Sequence, residues 1–326
     1  MIKILAASLV AVIISLIAGP RFIKWLHRRG IGQNIREAGP ERHVQKQGTP
    51  TMGGLLILVS ALIPYLIFAP KTVASLVVVI LTFGSGGIGF ADDLIKQRWH
   101  RSLGLSGKVK LLLQVGLVLI AVFVALRWGG VDTVLTVPFV RQGLAIGGLY
   151  YVFAVILVAG FSNAVNLTDG LDGLAAGTVA VALFACAGIA YLRGDTDVAI
   201  LAACLTGASL GFLWYNSHPA SVFMGDTGSL ALGAALGGMA VITQTEILIL
   251  LIGGLFVVEA LSVMIQVLSF RLFRKRLFLM APIHHHFELK NWSETKIIVR
   301  FWIISALLSA SGLTLYYLSF NQIGRG

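Results

Sequence analysis

Apolar runs of about twenty residues, long enough to cross roughly 30 Å of hydrocarbon as α-helices, recur from one end of this 326-residue chain to the other. Each run closes on charge, glycine, proline or a polar cluster, and the segments between runs are short. In lipid every backbone polar group must find its partner within the protein, which leaves helices as the natural reading of such runs. Composition agrees: 57% of the residues are hydrophobic and 12% charged, too little polar surface to enclose a water-soluble globule of this length. The pattern predicts ten spans, near 2–24, 52–69, 72–91, 107–126, 144–162, 171–192, 196–214, 227–243, 247–270 and 298–319. The expected fold is an all-α polytopic membrane protein with one membrane domain over residues 1–326.

A net charge of +11 would suit nucleic acid, but in a membrane protein the placement of basic residues decides more than their total. Of the 25 Lys and Arg residues, all but Lys3, Lys71, Arg127, Arg141, Arg193 and Arg325 fall in or beside the loops after the first, third and ninth spans. Cytoplasmic loops carry the excess of Lys and Arg, so these loops are expected in the cytoplasm and both termini outside. The first run, Ile4 to Ala18, is followed and not preceded by Arg21, Lys24, Arg28 and Arg29, which reads as a retained helix instead of a cleaved signal. Cys186 and Cys204 lie in mid-span without a ligand-like spacing and read as small buried hydrophobes.

On this orientation Asp92, Asp93, Asp169, Asp172 and Asp226 all fall at span ends on the cytoplasmic side. A helix-centre Asp carries an insertion penalty of roughly 2.5–3.5 kcal/mol, so carboxylates at a membrane edge usually mark a pathway or a site. Any one of them is also a plausible cap or interface residue; five on one face are harder to dismiss. Asp92 and Asp93 close the third span with Lys96 behind them. Neighbouring helical side chains point about 100° apart, so one acts directly on a common centre and the other through an intermediary. In Asn166-Leu167-Thr168-Asp169-Gly170-Leu171-Asp172-Gly173, polar groups three apart share one broad helical face, and the glycines permit close approach. Asp226, in Phe223-Met224-Gly225-Asp226-Thr227-Gly228-Ser229, is placed to cap the eighth span or to hold a hard cation through oxygen.

Three further segments carry chemistry. Ala281-Pro282-Ile283-His284-His285-His286-Phe287-Glu288 has three consecutive histidines, whose divergent directions and missing partner ligands argue against zinc and suit an anion such as a diphosphate. Lys46-Gln47-Gly48-Thr49-Pro50-Thr51-Met52-Gly53-Gly54 offers hydroxyls and free amides to phosphate oxygens, and Ser106-Gly107-Lys108-Val109-Lys110 makes a basic start to the fourth span. Lysines there serve equally well as interface anchors.

Together these segments resemble the polyprenyl-phosphate N-acetylhexosamine-1-phosphate transferase family over nearly the whole chain. The Asp92-Asp93 pair with Lys96, the Asn166–Gly173 segment and the Asp226 loop are general to the family; the Lys46–Gly54 run and the triple histidine resemble its muramoyl-pentapeptide branch. The resemblance implies a bacterial inner-membrane enzyme that moves phospho-N-acetylmuramoyl-pentapeptide from a UDP carrier to undecaprenyl phosphate, yielding lipid I and UMP, with Mg²⁺, ten spans, a cytoplasmic active site and a homodimer. It implies Asp226 as the metal ligand, with Asp92, Asp93, Lys108 and His285 in catalysis. Lys46, Thr51 and Lys108 would hold phosphate oxygens, and Asn166, Asp169, Asn216 and Phe223 would surround the nucleoside. Asp172, His284 and His286 would lie near the sugar-phosphate, and Gln266 would line the same cavity. A transporter would gather its acids near the bilayer midplane in two related halves, which this chain does not do. A transferase using UDP-N-acetylglucosamine is the nearer rival.

Overall fold

The computed structural model describes residues 1–32, 48–99, 104–140 and 142–323. Its elements are α1 (Ile2–Arg28), α2 (Gly54–Phe68), α3 (Val73–Arg98), α4 (Gly107–Trp128), β1 (Val134–Leu135), β2 (Leu144–Ala145), α5 (Leu149–Thr168), α6 (Leu174–Arg193), α7 (Thr196–Asn216), α8 (Gly225–Ile242), α9 (Ile249–Ile252), α10 (Gly254–Phe273), α11 (Ile283–Leu289) and α12 (Glu294–Ile323). Among the described residues nine helices are long and apolar enough to cross a membrane, as an all-α polytopic protein requires. The expected span over 52–69 is α2, whose 15 residues rise only about 22 Å at 1.5 Å each. The expected span over 247–270 is divided between α9 and α10 at Gly253, where a Cβ would lie 2.4 Å from the ring of Phe161.

Two other boundaries move for identifiable reasons. The expected span 144–162 begins later, because Leu144 and Ala145 pair antiparallel with Leu135 and Val134 in a short hairpin. It also continues to Thr168. The Gln114 amide donates to Ser162 Oγ at 3.0 Å and accepts from Asn163 Nδ2 at 2.9 Å, so polar residues that look like a span's end are partnered inside the bundle. Likewise α3 runs past residue 91 to Arg98, because the acids in its last turns have partners described below.

Helix α8 is the centre of the bundle. Every residue from Thr227 to Ile242 is buried, with α3 and α5 packed along it. Its glycines allow this: a Cβ on Gly233 would lie 2.3 Å from the Phe161 carbonyl oxygen, and one on Gly237 2.7 Å from Val158 Cα. Without a hydrophobic drive between helices in lipid, such backbone approach is what maximises dispersion contact. Helix α7 is wrapped by α1, α2 and α6, and α12 lies against α6 and α9. Leu5 and Leu9 on α1, Leu112 and Ile120 on α4, and Met264 and Leu268 on α10 are exposed, as side chains solvated by lipid should be. A smaller apolar cluster of Leu171, Leu174, Leu255, Ile297, Ile298 and Phe301 receives Phe287 and so seats α11 against α6, α10 and α12.

The end of the bundle where α8 stops carries its own polar cluster. Tyr150 Oη donates to Glu246 Oε1 at 2.5 Å, Gln244 Nε2 donates to Asp132 Oδ1 at 2.7 Å, and Arg193 Nη1 donates to the Thr243 carbonyl at 2.8 Å. Burial pushes the Glu246 carboxyl up to about 7, against the lowering effect of the Tyr150 hydrogen bond. The folded chain therefore holds a proton that the unfolded chain releases in the ordinary carboxylate range. This favours the fold at low pH and is lost as pH rises from that range through about 7. The apparent Tm of the detergent-purified protein is expected to fall by about 3 °C or more between about pH 5 and pH 8.5, and Glu246→Gln should flatten that slope. Equal slopes in both proteins would reject the assignment.

Candidate active site

The site starts with one backbone contact. A Cβ on Gly89 would lie 2.1 Å from the Asp226 carbonyl oxygen, so only glycine lets α3 come this close to the first turn of α8. One turn further on, Asp93 caps that helix from outside: its Oδ2 accepts the Thr227 N–H at 2.9 Å and the Thr227 hydroxyl at 2.8 Å, and its Oδ1 accepts the Asp226 N–H at 3.3 Å. The first N–H groups of a helix lack partners within it, and the N-terminus attracts negative charge. The segment before α2 docks on the same turn. Gly53 and Gly54 N–H donate to the carbonyls of Phe223 and Met224 at 2.8 and 2.9 Å, and Phe223 N–H donates to that of Pro50 at 2.7 Å. Gly225 has φ +72°, and a Cβ there would crowd Asp93 Oδ2 at 2.7 Å and the Thr51 hydroxyl at 2.9 Å. The Thr51 hydroxyl is thereby held against Gly225.

Three carboxylates and two ammonium groups then interleave. Lys96 Nζ lies 2.6 Å from Asp92 Oδ2, 3.2 Å from Asp226 Oδ1 and 3.6 Å from Asp93 Oδ1. Lys110 Nζ lies 2.6 Å from Asp226 Oδ2 and 3.2 Å from Asp92 Oδ1. Asn166 Nδ2 donates to Asp226 Oδ1 at 3.0 Å and to Ser229 Oγ at 2.8 Å. Asp92 also accepts the Leu105 N–H at 2.8 Å, which ties the start of α4 to the end of α3. Oxygens of Asp92, Asp93 and Asp226 all lie within 4.8 Å of one another, a hard-donor set that suits a divalent cation.

The Asn166–Gly173 segment crosses the same end of the bundle. Asp169 closes α5. Its burial, and then the negative charges of Asp226, Asp93 and Asp172, push its carboxyl well above the usual carboxylate range, opposed by a backbone hydrogen bond from Gly225. Asn216 is buried with both ends of its amide on backbone: Oδ1 accepts the Gly173 N–H at 3.1 Å and Nδ2 donates to the Val222 carbonyl at 2.9 Å. Asp172 Oδ2 accepts the Ala220 N–H at 3.1 Å and lies 3.2 Å from His218 Nδ1, itself 3.4 Å from Glu294 Oε2. Phe223 is half-buried beside the docked segment.

The three histidines sit in three different environments on α11. His284 is wholly buried with Nδ1 3.1 Å from Glu259 Oε1, His285 Nδ1 lies 2.5 Å from Glu288 Oε2, and His286 Nδ1 accepts the Leu279 N–H at 3.1 Å. Gln266 holds the backbone after α10, accepting N–H groups from Leu277 and Phe278 at 3.0 and 2.9 Å and donating to the Phe278 carbonyl at 2.8 Å. Lys46 lies outside the described residues.

Of the two lysines opening α4, Lys108 is exposed and makes no ion pair among the described residues, while Lys110 enters the carboxylate cluster. Residues two apart on a helix point about 200° apart, so only one of the pair can face the acids, and spacing alone does not say which. His218 and Glu294 were also silent in the sequence, each being an ordinary loop or helix-start residue there. Glu259 was visible in principle, as an acid within an apolar run.

Residues 75–244 match glycosyl transferase family 4, and residues 46–58 match signature 1 of phospho-N-acetylmuramoyl-pentapeptide-transferase. A helical membrane bundle with interleaved carboxylates and lysines at one end is thus a phosphoglycosyl transferase. The chain is 46% identical to the phospho-N-acetylmuramoyl-pentapeptide-transferase of Rubrobacter xylanophilus over 323 residues, covering 97% of this chain and 98% of the relative. It is 47% identical to that of Desulfitobacterium hafniense over 96% of this chain and 98% of the relative, and 46% identical to that of Geobacillus kaustophilus over 95% and 97%. The chain belongs to the phospho-N-acetylmuramoyl-pentapeptide-transferase family.

The contact at Gly89 can be tested by thermal unfolding. Gly89→Ala should lower the apparent Tm by about 4 °C or more, since overpacking against a backbone carbonyl costs about 1–3 kcal/mol or more. Gly87→Ala on the same helix meets nothing within 4 Å and should leave Tm nearly unchanged. Similar shifts in the two variants would show that the Gly89 contact does not hold α3 against α8.

Proposed function

We propose that this enzyme transfers phospho-N-acetylmuramoyl-pentapeptide from UDP to undecaprenyl phosphate, giving lipid I and UMP, at the cytoplasmic face of the bacterial inner membrane and with Mg²⁺. This is the first membrane step of peptidoglycan synthesis, and both termini face outward from a homodimer. The observation that carries the reading is the convergence of Asp92, Asp93 and Asp226 with Lys96 and Lys110, in a chain whose relatives bear the transferase's name. The concentration of Lys and Arg in loops at the site's end of the bundle supports the cytoplasmic orientation.

Donor diphosphate and acceptor phosphate are both anions, and two unit charges about 4 Å apart repel by roughly 4 kcal/mol at an effective dielectric of 20. Lys96 and Lys110 supply fixed positive charge where these groups would meet, and each exchanges a carboxylate for a phosphate oxygen as the substrates enter. Asp226, with Asp92 beside it, is the best-placed ligand for Mg²⁺, since Asp93 is committed to the α8 N-terminus. When bound, the ion neutralises diphosphate charge and stabilises the departing nucleotide. An oxygen of the lipid phosphate forms the new bond to the sugar-bearing phosphorus, and the bond from that phosphorus to the bridging oxygen breaks, releasing UMP. The second pKa of a phosphate monoester lies near about 6, so at neutral pH the nucleophile is largely deprotonated already. Asp92 therefore orients the attack more than it removes a proton.

Lys46 and Thr51 hold phosphate oxygens. Asn166, Asp169 and Phe223 line the nucleoside side, with Asn216 shaping it through its grip on Gly173 and Val222. Asp172, His285 and His286 serve the sugar-phosphate, and Gln266 shapes the cavity by holding residues 277–278.

UMP release from purified protein given undecaprenyl phosphate, Mg²⁺ and one UDP-sugar at a time tests the reading, and activity confined to the N-acetylglucosamine donor would overturn it. Asp226→Asn should lower kcat by about 100-fold or more, without recovery at raised Mg²⁺, because a hard cation needs the anionic oxygen. Lys110→Ala should lose about 50-fold or more, whereas Lys108→Ala should stay within about threefold of wild type. Equal losses in the two lysine variants would remove Lys110 from its role.

A further inference from the structure

Glu259 is an acid for which the proposed chemistry has no use. It lies within α10, in a segment apolar enough to cross a membrane, and it is wholly buried. An ionisable side chain inside a span is costly and persists where it has a partner and a task. Its partner is His284, also wholly buried, whose Nδ1 lies 3.1 Å from Glu259 Oε1. Among the described residues the other two polar atoms of the pair, Glu259 Oε2 and His284 Nε2, have no hydrogen-bond partner.

What lies beyond Nε2 gives the pair its meaning. A Cβ on Gly170 would stand 2.5 Å from His284 Nε2 and 3.1 Å from Cε1, so the tip of the imidazole rests directly against the backbone between Asp169 and Asp172. The far side of the ring is fixed by Glu259, and its helix is seated by the apolar cluster that holds Phe287.

We infer that Glu259 is a positioning residue for the transfer: it accepts the Nδ1–H of His284 and so locks that imidazole as a strut beneath Gly170, setting the height of the Asn166–Gly173 segment. A ring whose Nδ1–H is committed to a carboxylate has one tautomer and one orientation, the same logic by which carboxylates orient metal-bound histidines. The histidine tract thereby divides by role. His284 supports the segment from within, while the half-buried His285 and His286 turn to Glu288 and to the Leu279 N–H. The hydrogen bond, not the charge, does the positioning, so glutamine at 259 preserves it.

The inference rests on the proposed reaction only for its kinetic assay. Glu259→Ala should lower kcat about tenfold or more with KM for the UDP donor changed by less than about threefold, as expected when geometry in the transition state is lost. Glu259→Gln, whose carboxamide oxygen still accepts the Nδ1–H, should return to within about threefold of wild type, and Gly170→Ala, which pushes the ring off Glu259, should resemble Glu259→Ala. Independently of activity, ¹⁵N-histidine NMR with His284 assigned by difference from His284→Gln should show a protonated Nδ1 in wild type and Glu259→Gln. Wild-type kinetics in Glu259→Ala, equal impairment in the Ala and Gln variants, or an unprotonated Nδ1 in wild type would overturn the inference. Should Glu259→Ala not fold, impaired Gly170→Ala beside active Glu259→Gln sustains it and the reverse pattern sinks it. A wild-type protein that releases no UMP from any donor would count against the proposed reaction, while the NMR result still judges the strut.

Discussion

Asp93 reaches from the end of α3 into the first turn of α8, and the geometry of the whole site follows from that reach. A helix that begins inside a membrane protein presents N–H groups with no water to satisfy them, and here none of its own preceding residues caps it by side chain. The cap comes from another helix, which fixes the register of α3 against α8 as well as stabilising α8. Once Asp93 is engaged, Asp92 and Lys96 are carried to Asp226 by the pitch of α3 alone. Gly89 makes the reach possible by removing the one atom that would hold the two backbones apart. Two adjacent acids thus take separate places, Asp93 on the α8 N-terminus and Asp92 between the two lysines.

The cluster so assembled is balanced without being inert. Each lysine lies between two or more carboxylates, so neither ammonium group is stranded in a low-dielectric environment, where removing one partner of a buried pair costs about 3–5 kcal/mol. The same arrangement leaves more carboxylate than ammonium, and those charges add to burial, the larger cause, in raising the proton affinity of Asp169. Such a site gains from a cation and, with one bound, from the anions that accompany it. Its position at the end of the bundle is what the proposed reaction between a soluble nucleotide and a lipid head group requires.

The three adjacent histidines show how little residue type decides by itself. Neighbours on α11 diverge by about 100°, and each ring meets a different surface: an acid inside α10, an acid on its own helix, and a backbone N–H. Those partners lie 25, 3 and 7 residues away along the chain. Similarly, Asn216 and Gln266 use their amides to hold backbone segments that give the site its shape.

Much of the architecture was legible in the sequence, because hydrocarbon thickness sets the length of an apolar run and lipid penalises every unpaired polar group. The spans and the clustering of acids at their ends followed from that, while the family was legible in the resemblance of particular loop motifs. Boundaries failed where polar residues continue a helix, as at Asp92–Arg98 and Asn163–Thr168, since Asp92, Lys96 and Asn163 have partners on other helices. The entry of Lys110 and not Lys108 into the carboxylate cluster, the cap formed by Asp93 and the pairing of Glu259 with His284 were decided only by tertiary structure. Each depends on which face of a helix meets which neighbour. Local periodicity determines that a helix forms, and only the packing of distant segments determines what its side chains find.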